Sequence, residues 1–294
     1  AKIDLIGAAS SAQMQGALAA QGRLSGTIDW RAKGPLPIGP LVIEGAATGK
    51  GQLSGSLSAP SLILSALIEQ VDIPQLPLTE ARMDLTLASE ARGWTGQAAL
   101  AANSGYGPVS ATAGLSLLPD GLGLQDIKAD GAGIKLAGDL SLRRSNAASA
   151  NLNLSVGPGV VLSAGKLTGT LKIDQKAVEL TTNIDFLVNA DAAAFRSRDL
   201  VLSQGRLTAQ GPLIGLDYQI DGRGRVGAVL VRLAGSGQAS FEDLKGLSLA
   251  FNGTGKVRGA DITTLEPVLL RWDGAQRSAH GRVSLGGGEV GVDA

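Results

Sequence analysis

The 294 residues include 42 Gly but only four Phe, three Trp and two Tyr, and 26 Lys and Arg balance 26 Asp and Glu. Nucleic-acid-binding proteins normally carry a basic excess, because phosphate neutralisation supplies much of their affinity, so the zero net charge argues against a nucleic-acid partner. With no Cys and a single His, the chain cannot build a disulfide framework, a thiolate zinc site or a multi-His site. We therefore expect no metal and no cofactor.

The N-terminal segment Ser10–Ala20 is rich in Ala and Gln and fits two interpretations. Its composition permits a helix, but Met14, Leu18 and Ala20 also fit the two-residue period of a strand, which we favour. The pattern is already under way at Ile3, so we expect the chain to be an internal piece of a longer protein.

The seven-residue motif Gly-(Arg/Gln/Lys)-Leu-(Ser/Thr)-Gly-(Thr/Ser)-(Ile/Leu) occurs three times, at Gly22–Ile28, Gly51–Leu57 and Gly165–Leu171. The spacing between copies is irregular, which argues against a solenoid of fixed rung length. We interpret the motif as a strand that carries a Gly on its apolar face, where Gly commonly allows a sheet to bend.

Alternation of apolar and polar residues dominates the chain, as at Val109–Leu117, Ile134–Leu142 and Leu167–Ile173. Successive side chains of a strand point to opposite faces, so each run predicts a strand with one apolar and one wet face. Turn signals such as Pro119–Gly121 and Asp221–Gly222 recur every 10–14 residues or so, which implies on the order of 20 strands. Parallel strands would need long crossovers, so the sequence predicts an all-β antiparallel meander.

The apolar faces need cover, and nine aromatic residues are few for the core of an ordinary β-sandwich. Two arrangements stay open: a thin aliphatic sandwich, or a sheet curled on itself whose interior another molecule fills. Composition favours the second, because an aliphatic lining accepts acyl chains at about 0.8 kcal/mol per buried methylene without fixing their position. About 20 strands at 4.8 Å spacing would give a groove on the order of 100 Å long, over residues 1–294 as one continuous segment.

We expect the apolar strand faces to form this lining. The candidate lining residues are Leu53, Leu57, Leu62, Leu64, Met83, Leu85, Leu87, Leu115, Leu117, Ile134, Leu136, Leu140, Leu142, Leu152, Leu154, Val156, Leu167, Leu171, Ile173, Val178, Leu180, Ile184, Phe186, Leu247, Leu249 and Phe251.

The run Gly51–Leu64, which reads GQLSGSLSAPSLIL, resembles the "G-x-L-S-G-x-L-x-x-P-x-L" phrase of TamB-type proteins, part of the AsmA-like group of bacterial envelope proteins. The segment Ile127–Leu142, with Gly133 and Gly138 inside a strand pattern, is similar in style. The resemblance implies a β-taco, an open groove with an apolar concave face, in the periplasm of Gram-negative bacteria. It also implies phospholipid transport between the inner and outer membranes and support of outer-membrane assembly.

The same resemblance implies an inner-membrane anchor outside this chain, phospholipid acyl chains as ligands and an outer-membrane partner of the Omp85 class. The lack of cysteine is compatible with a periplasmic location. On this reading the chain is not an enzyme. The alternative is a structural or adhesive module, such as the β-helical passenger of an exported protein, which would have stacked parallel rungs. A sugar-binding or hydrolytic β-sandwich has too few aromatic residues for stacking on sugar rings.

Three local motifs have weaker functional interpretations. Gly222–Gly227 matches G-x-G-x-x-G but precedes a strand pattern instead of the helix that a dinucleotide site needs, so we interpret it as a turn. The only histidine, His280, lies in a pattern typical of a solvent-facing loop or strand edge. Arg143 and Arg144 could meet a lipid phosphate at a rim, but a solvated edge pair is the simpler interpretation.

Overall fold

We analysed a computed structural model, which describes residues 2–7, 10–19, 22–38, 41–72, 76–144, 147–175, 182–196, 199–242, 246–273 and 276–293. Every named element in these residues is a β-strand. The chain divides into two compact units, Ala1–Arg144 and Ser145–Ala294, called unit 1 and unit 2 below. Whether residues 1–294 act as one continuous segment stays a prediction.

Unit 1 contains eleven strands whose sequences alternate between apolar and polar residues. They are β1 (Lys2–Ile6), β2 (Ser10–Leu18), β3 (Leu24–Lys33), β4 (Leu36–Ile38), β5 (Leu41–Gly55), β6 (Pro60–Asp72), β7 (Leu78–Glu90), β8 (Gly93–Ser104), β9 (Gly107–Leu118), β10 (Gly121–Gly131) and β11 (Ile134–Arg143).

Unit 2 contains a further eleven strands of the same character. They are β12 (Ala148–Val156), β13 (Leu162–Gln175), β14 (Thr182–Phe195), β15 (Leu200–Pro212), β16 (Leu216–Val226), β17 (Val229–Glu242), β18 (Gly246–Val257), β19 (Ala260–Thr264), β20 (Val268–Asp273), β21 (Gln276–Leu285) and β22 (Gly288–Asp293).

Within each unit, the named strands pair antiparallel with their neighbours along the chain, with two local variations. In unit 1, β3 pairs with β5, and the short β4 folds back on β5. In unit 2, residues Gly246–Phe251 of β18 pair with β20 and residues Thr254–Val257 pair with β19. Strand β21 in turn pairs with both β19 and β20. The predicted all-β antiparallel meander is confirmed, and parallel rungs of a β-helix are not the arrangement found. The N-terminal segment forms strand β2 and not a helix.

One predicted turn is wrong. Asp221 and Gly222 lie in the middle of β16, where Gly222 faces Gly205 of β15 and Leu233 of β17. In the G-x-G-x-x-G match, only Gly227 reaches the turn, with a positive φ of 58°. A Gly in a strand interior is tolerated when neighbouring side chains cover it, so the Asp-Gly pair alone does not decide for a turn.

β-Bulges keep the apolar residues on one face of the sheet where the alternation of apolar and polar residues shifts by one position. In β10 the pattern passes from Leu122 and Leu124 to Ile127 and Ala129, and the register shifts between Leu124 and Ile127. Asp126, with a φ of 49°, occupies the bulge, and its backbone N–H donates to Oδ1 of Asp139 at 2.9 Å. An extra residue in one strand shifts the pleat by one position, so apolar side chains on both sides of the bulge share a face.

Little of either unit is fully buried. The buried hydrophobic residues are mostly alanines, and Leu162 is the largest side chain with almost no exposure. In unit 1, Val71, Leu78, Ala81 and Ala102 form a buried cluster. The corresponding cluster of unit 2 consists of Ala209, Leu216, Tyr218 and Ala239.

Candidate functional site: the apolar sheet faces

Strand register places apolar residues of unit 1 in continuous rows on one face of the sheet, because paired residues of antiparallel strands point to the same side. One such row crosses seven strands from β5 to β11, and each of its members is Leu except one Gly. The row is Leu53, Leu62, Leu87, Gly96, Leu115, Leu124 and Leu140. Twelve of the predicted lining residues lie on this face: Leu53, Leu62, Leu64, Met83, Leu85, Leu87, Leu115, Leu117, Ile134, Leu136, Leu140 and Leu142.

Unit 2 repeats the arrangement with more aromatic residues. A row from β12 to β20 consists of Leu152, Leu171, Phe186, Ala209, Tyr218, Gly237, Phe251 and Val268. The predicted residues on this face are Leu152, Leu154, Val156, Leu167, Leu171, Ile173, Ile184, Phe186, Leu247, Leu249 and Phe251.

One predicted lining residue lies off these faces, and two others fall outside the described residues. Leu57 follows the end of β5 at Gly55 and lies in the bend before β6, where 64% of it is exposed. Its placement on a strand face was wrong, because the strand stops two residues earlier than the period-two pattern. Val178 and Leu180 lie outside the described residues.

Protein covers the apolar faces only in part. The chain exposes 18331 Å², whereas two separate compact domains that share its mass equally would together expose about 14,000 Å². Met83 and Leu142, at face positions of unit 1, are 40% and 45% exposed, and most other face residues are only half-buried. A thin sandwich would bury these residues in a dry core, so the tight aliphatic sandwich does not describe either unit.

The opposite faces carry charged and amide side chains that pair across strands. In unit 1, Lys135 of β11 and Asp130 of β10 form an ion pair of 3.0 Å. In unit 2, Nε2 of Gln238 donates to Oδ1 of Asp217 at 2.9 Å. No buried polar or charged residue occurs among the described residues, so each sheet separates an apolar side from a wet side.

A hollow of about 310 Å³ opens on the apolar face of unit 2 between β18, β20 and β21. Register places Leu249 beside Leu270, and Leu247 beside Trp272. Arg277 pairs with Trp272 across β20 and β21, and its guanidinium carbon lies 4.2 Å from the centroid of the Trp272 ring. The sequence analysis did not single out Arg277, although its alternation with Ala279, Gly281 and Val283 puts a cation at an apolar position.

The positions first considered for a lipid phosphate lie elsewhere. Arg143 forms an ion pair with Asp120, with 2.8 Å between Nη1 and Oδ2. Because the Asp120 carboxylate already neutralises the charge of Arg143, Arg143 is a poorer anion site than Arg277. The interpretation of Arg143 as a solvated edge residue fits this contact.

The ionisable groups with shifted pKa values are structural. A hydrogen bond from Gln13 lowers the pKa of Asp4, and a hydrogen bond from Arg282 lowers the pKa of Glu266. Burial raises the pKa of Tyr218, whose hydroxyl donates to the carbonyl oxygen of Ala250 at 2.8 Å. His280 is two-thirds exposed, and its Nδ1 lies 3.8 Å from Oδ1 of Asp293. In the described part of the chain, no cluster of three His, Cys, Asp or Glu could hold a metal ion.

Comparisons of the chain with models of protein families, with curated proteins and with solved structures found no match. The resemblance to TamB-type proteins therefore stays a prediction. The described residues contain no helix that is long and apolar enough to cross a membrane.

Proposed function

We propose that the apolar sheet faces bind lipid acyl chains and let them move from strand to strand, as part of phospholipid transport between two membranes. The observation that carries this proposal is the row of leucines from Leu53 to Leu140, continuous from β5 to β11, in which Leu87 is buried and the other leucines are partly exposed. Exposed apolar areas of this extent mark interaction sites in soluble proteins.

The chemistry of the face favours an acyl chain over a rigid ligand. Small-molecule sites combine apolar lining with a few placed polar groups that fix orientation. The row from Leu53 to Leu140 offers only Leu and Gly, whose side chains have no hydrogen-bonding groups. A flexible chain of methylenes gains burial at each position and is held strongly at none, which suits movement.

The cellular setting belongs to the same proposal and is supported by the resemblance of Gly51–Leu64 alone. In this setting the chain is a non-enzymatic segment in the periplasm and curls into a lipid-conducting groove. An anchor outside the chain holds it to the inner membrane, and an Omp85-class protein is its outer-membrane partner.

Charge placed on the apolar face tests the proposal. Leu154 and Leu171 lie on the apolar face of β12 and β13, so the double variant Leu154→Asp and Leu171→Asp puts two carboxylates where acyl chains would pass. The purified protein should copurify with phospholipid, measured by mass spectrometry of organic extracts, and the double variant should lose most of it. A buried unpaired carboxylate is strongly unfavourable beside hydrocarbon.

The matched control is the double variant Asn151→Asp and Asn153→Asp. It adds the same charge to the exposed, polar face of β12. This control should keep its lipid, and circular dichroism should show strand content in all three proteins. Protein that carries no phospholipid, or two double variants that retain it equally, would contradict the proposal.

A further inference from the structure

The hollow between β18, β20 and β21 combines two rows of face residues. Leu249, Leu270 and Ala279 form one row, and Leu247, Trp272 and Arg277 form the next. Arg271 and Ser278 also border the hollow, although their register places them on the opposite face. Its volume of about 310 Å³ is at the lower end of the roughly 300–1,000 Å³ of small-molecule sites.

Arg277 is exceptional in its position. At the described, register-paired positions of this face in unit 2, its neighbours are apolar, and Arg277 alone is charged. Among the side chains that the structure describes, no carboxylate forms an ion pair with its guanidinium. The group stacks on the Trp272 ring at 4.2 Å instead.

Stacking uses the flat side of a guanidinium and leaves its in-plane N–H groups able to bind other atoms. Those N–H groups form a fork that matches the two oxygens of a phosphate or carboxylate. The hollow therefore presents an anion-binding fork at the end of a pocket lined by leucines.

We infer that this hollow binds a lipid with an anionic head group, an inference that rests on the proposed function. The acyl chain packs against Leu247, Leu249 and Leu270, and the anionic oxygens bind Arg277. A free anion would gain nothing from the leucines, and a neutral lipid would gain nothing from Arg277. An anionic amphiphile uses both parts of the site. Arg277 thus selects among the acyl chains that the rest of the face binds without preference.

Binding of three probes to the whole chain tests this inference by calorimetry at low ionic strength: decyl phosphate, decan-1-ol and inorganic phosphate. We expect decyl phosphate to bind roughly tenfold more tightly than decan-1-ol, the gain typical of one charge-assisted contact. Inorganic phosphate alone should not bind measurably.

The variant Arg277→Gln should abolish the preference for decyl phosphate and leave decan-1-ol binding unchanged. Arg277→Lys should keep part of the preference, because a lysine keeps the charge but lacks the fork. The matched control, Arg232→Gln, removes an exposed arginine from the polar face of β17 and should change nothing. Unchanged decan-1-ol binding also verifies that the variants are folded.

The outcomes separate this inference from the proposed function. If decan-1-ol and decyl phosphate bind equally, or if the preference survives Arg277→Gln, the inference is wrong while acyl binding stands. If inorganic phosphate competes as well as decyl phosphate, the site is a simple anion site and the inference is again wrong. If neither alkyl probe binds, both the inference and acyl binding by this face are wrong.

Discussion

The buried cluster of unit 1 is aliphatic, with Ile68, Leu76, Leu100 and Val109 packed around it. The cluster of unit 2 contains Tyr218 and gathers Phe186, Phe241 and Phe251 from three further strands. In each unit the cluster lies on a sheet whose apolar face is only partly buried.

The difference shows how aromatic rings can cover part of a sheet face. The Phe251 ring lies over Gly235 and Gly253, and a β-carbon at either position would overlap it. Among the described glycines of unit 1 the same arrangement occurs once, where the Trp30 ring covers Gly49. Rings that lie across glycines cover the face locally, so the ring-poor unit 1 leaves more of its aliphatic surface for a ligand.

The largest expected effect comes from a buried leucine in each unit. Leu78→Ala in unit 1 should lower the free energy of unfolding by about 3 kcal/mol, because short aliphatic neighbours cannot fill the cavity. Leu216→Ala in unit 2 should cost about 2 kcal/mol, because Phe241 and the other rings can move into the space. Urea unfolding, followed for each unit by hydrogen exchange, measures both losses.

Exposed leucines provide the controls for these cavities. Leu67 is 59% exposed on the polar face of unit 1, and Leu230 is 71% exposed in unit 2. Their replacement by Ala should change the free energy of unfolding by less than about 0.5 kcal/mol. A larger loss for Leu216→Ala than for Leu78→Ala would show that the rings of unit 2 are rigid and do not adapt.

The next effect tests the rings that cover glycines. Gly253→Ala should lower the free energy of unfolding of unit 2 by about 1–3 kcal/mol, because the new β-carbon overlaps the Phe251 ring and approaches the backbone of Ala234. Gly222→Ala, on the same face with no atom closer than 3.7 Å to the new β-carbon, is the matched control. It should be neutral or slightly stabilising, because Ala restricts the unfolded chain.

A double variant separates the ring from the backbone contact. If the ring is the cause, adding Phe251→Ala to Gly253→Ala should cost less than the two single losses together. Strictly additive losses in chemical denaturation would show that the ring does not lie on Gly253.

The sequence predicted the strands and their apolar faces because a two-residue period survives in each run from Met14 to Leu285. It also predicted which leucines share a face wherever the pairing is regular. The shift in the apolar–polar alternation between Leu124 and Ile127 is visible in the sequence. Only the register of β10 against its partner strands identifies this shift as a bulge at Asp126.

The sequence analysis failed where the answer depends on neighbours in other strands. Asp221–Gly222 has the composition of a turn, yet cross-strand pairing continues through it. Arg277 resembles any strand arginine until its position beside Trp272 and Leu247 is known. Register between distant strands is set by pairing and bulges, which one sequence specifies only in part.

The smallest expected effect concerns the hydroxyl group of Tyr218 in the unit 2 cluster. The aliphatic cluster of unit 1 contains no hydroxyl group. Tyr218→Phe removes the 2.8 Å hydrogen bond to the Ala250 carbonyl oxygen and should lower the free energy of unfolding by about 1 kcal/mol at pH 7. Because burial raises the pKa of Tyr218 in the folded protein, the unfolded chain releases its proton first as the pH rises above 10. Stability of unit 2 should then fall with increasing pH up to the folded pKa.

The variant lacks this ionisation, so its disadvantage relative to the parent should shrink above pH 10. Hydrogen exchange across pH 7 to 10.5 resolves the two units after correction for the intrinsic exchange rate. We expect the ionisation of Tyr218 to reduce protection from hydrogen exchange in β16–β18 at alkaline pH. It should not reduce protection in the Val71–Ala102 cluster of unit 1, because that cluster buries no ionisable hydroxyl group. If parent and variant lose stability in parallel above pH 10, Tyr218 ionises as readily in the folded protein as in the unfolded chain, and its hydroxyl is not shielded by the rings around it.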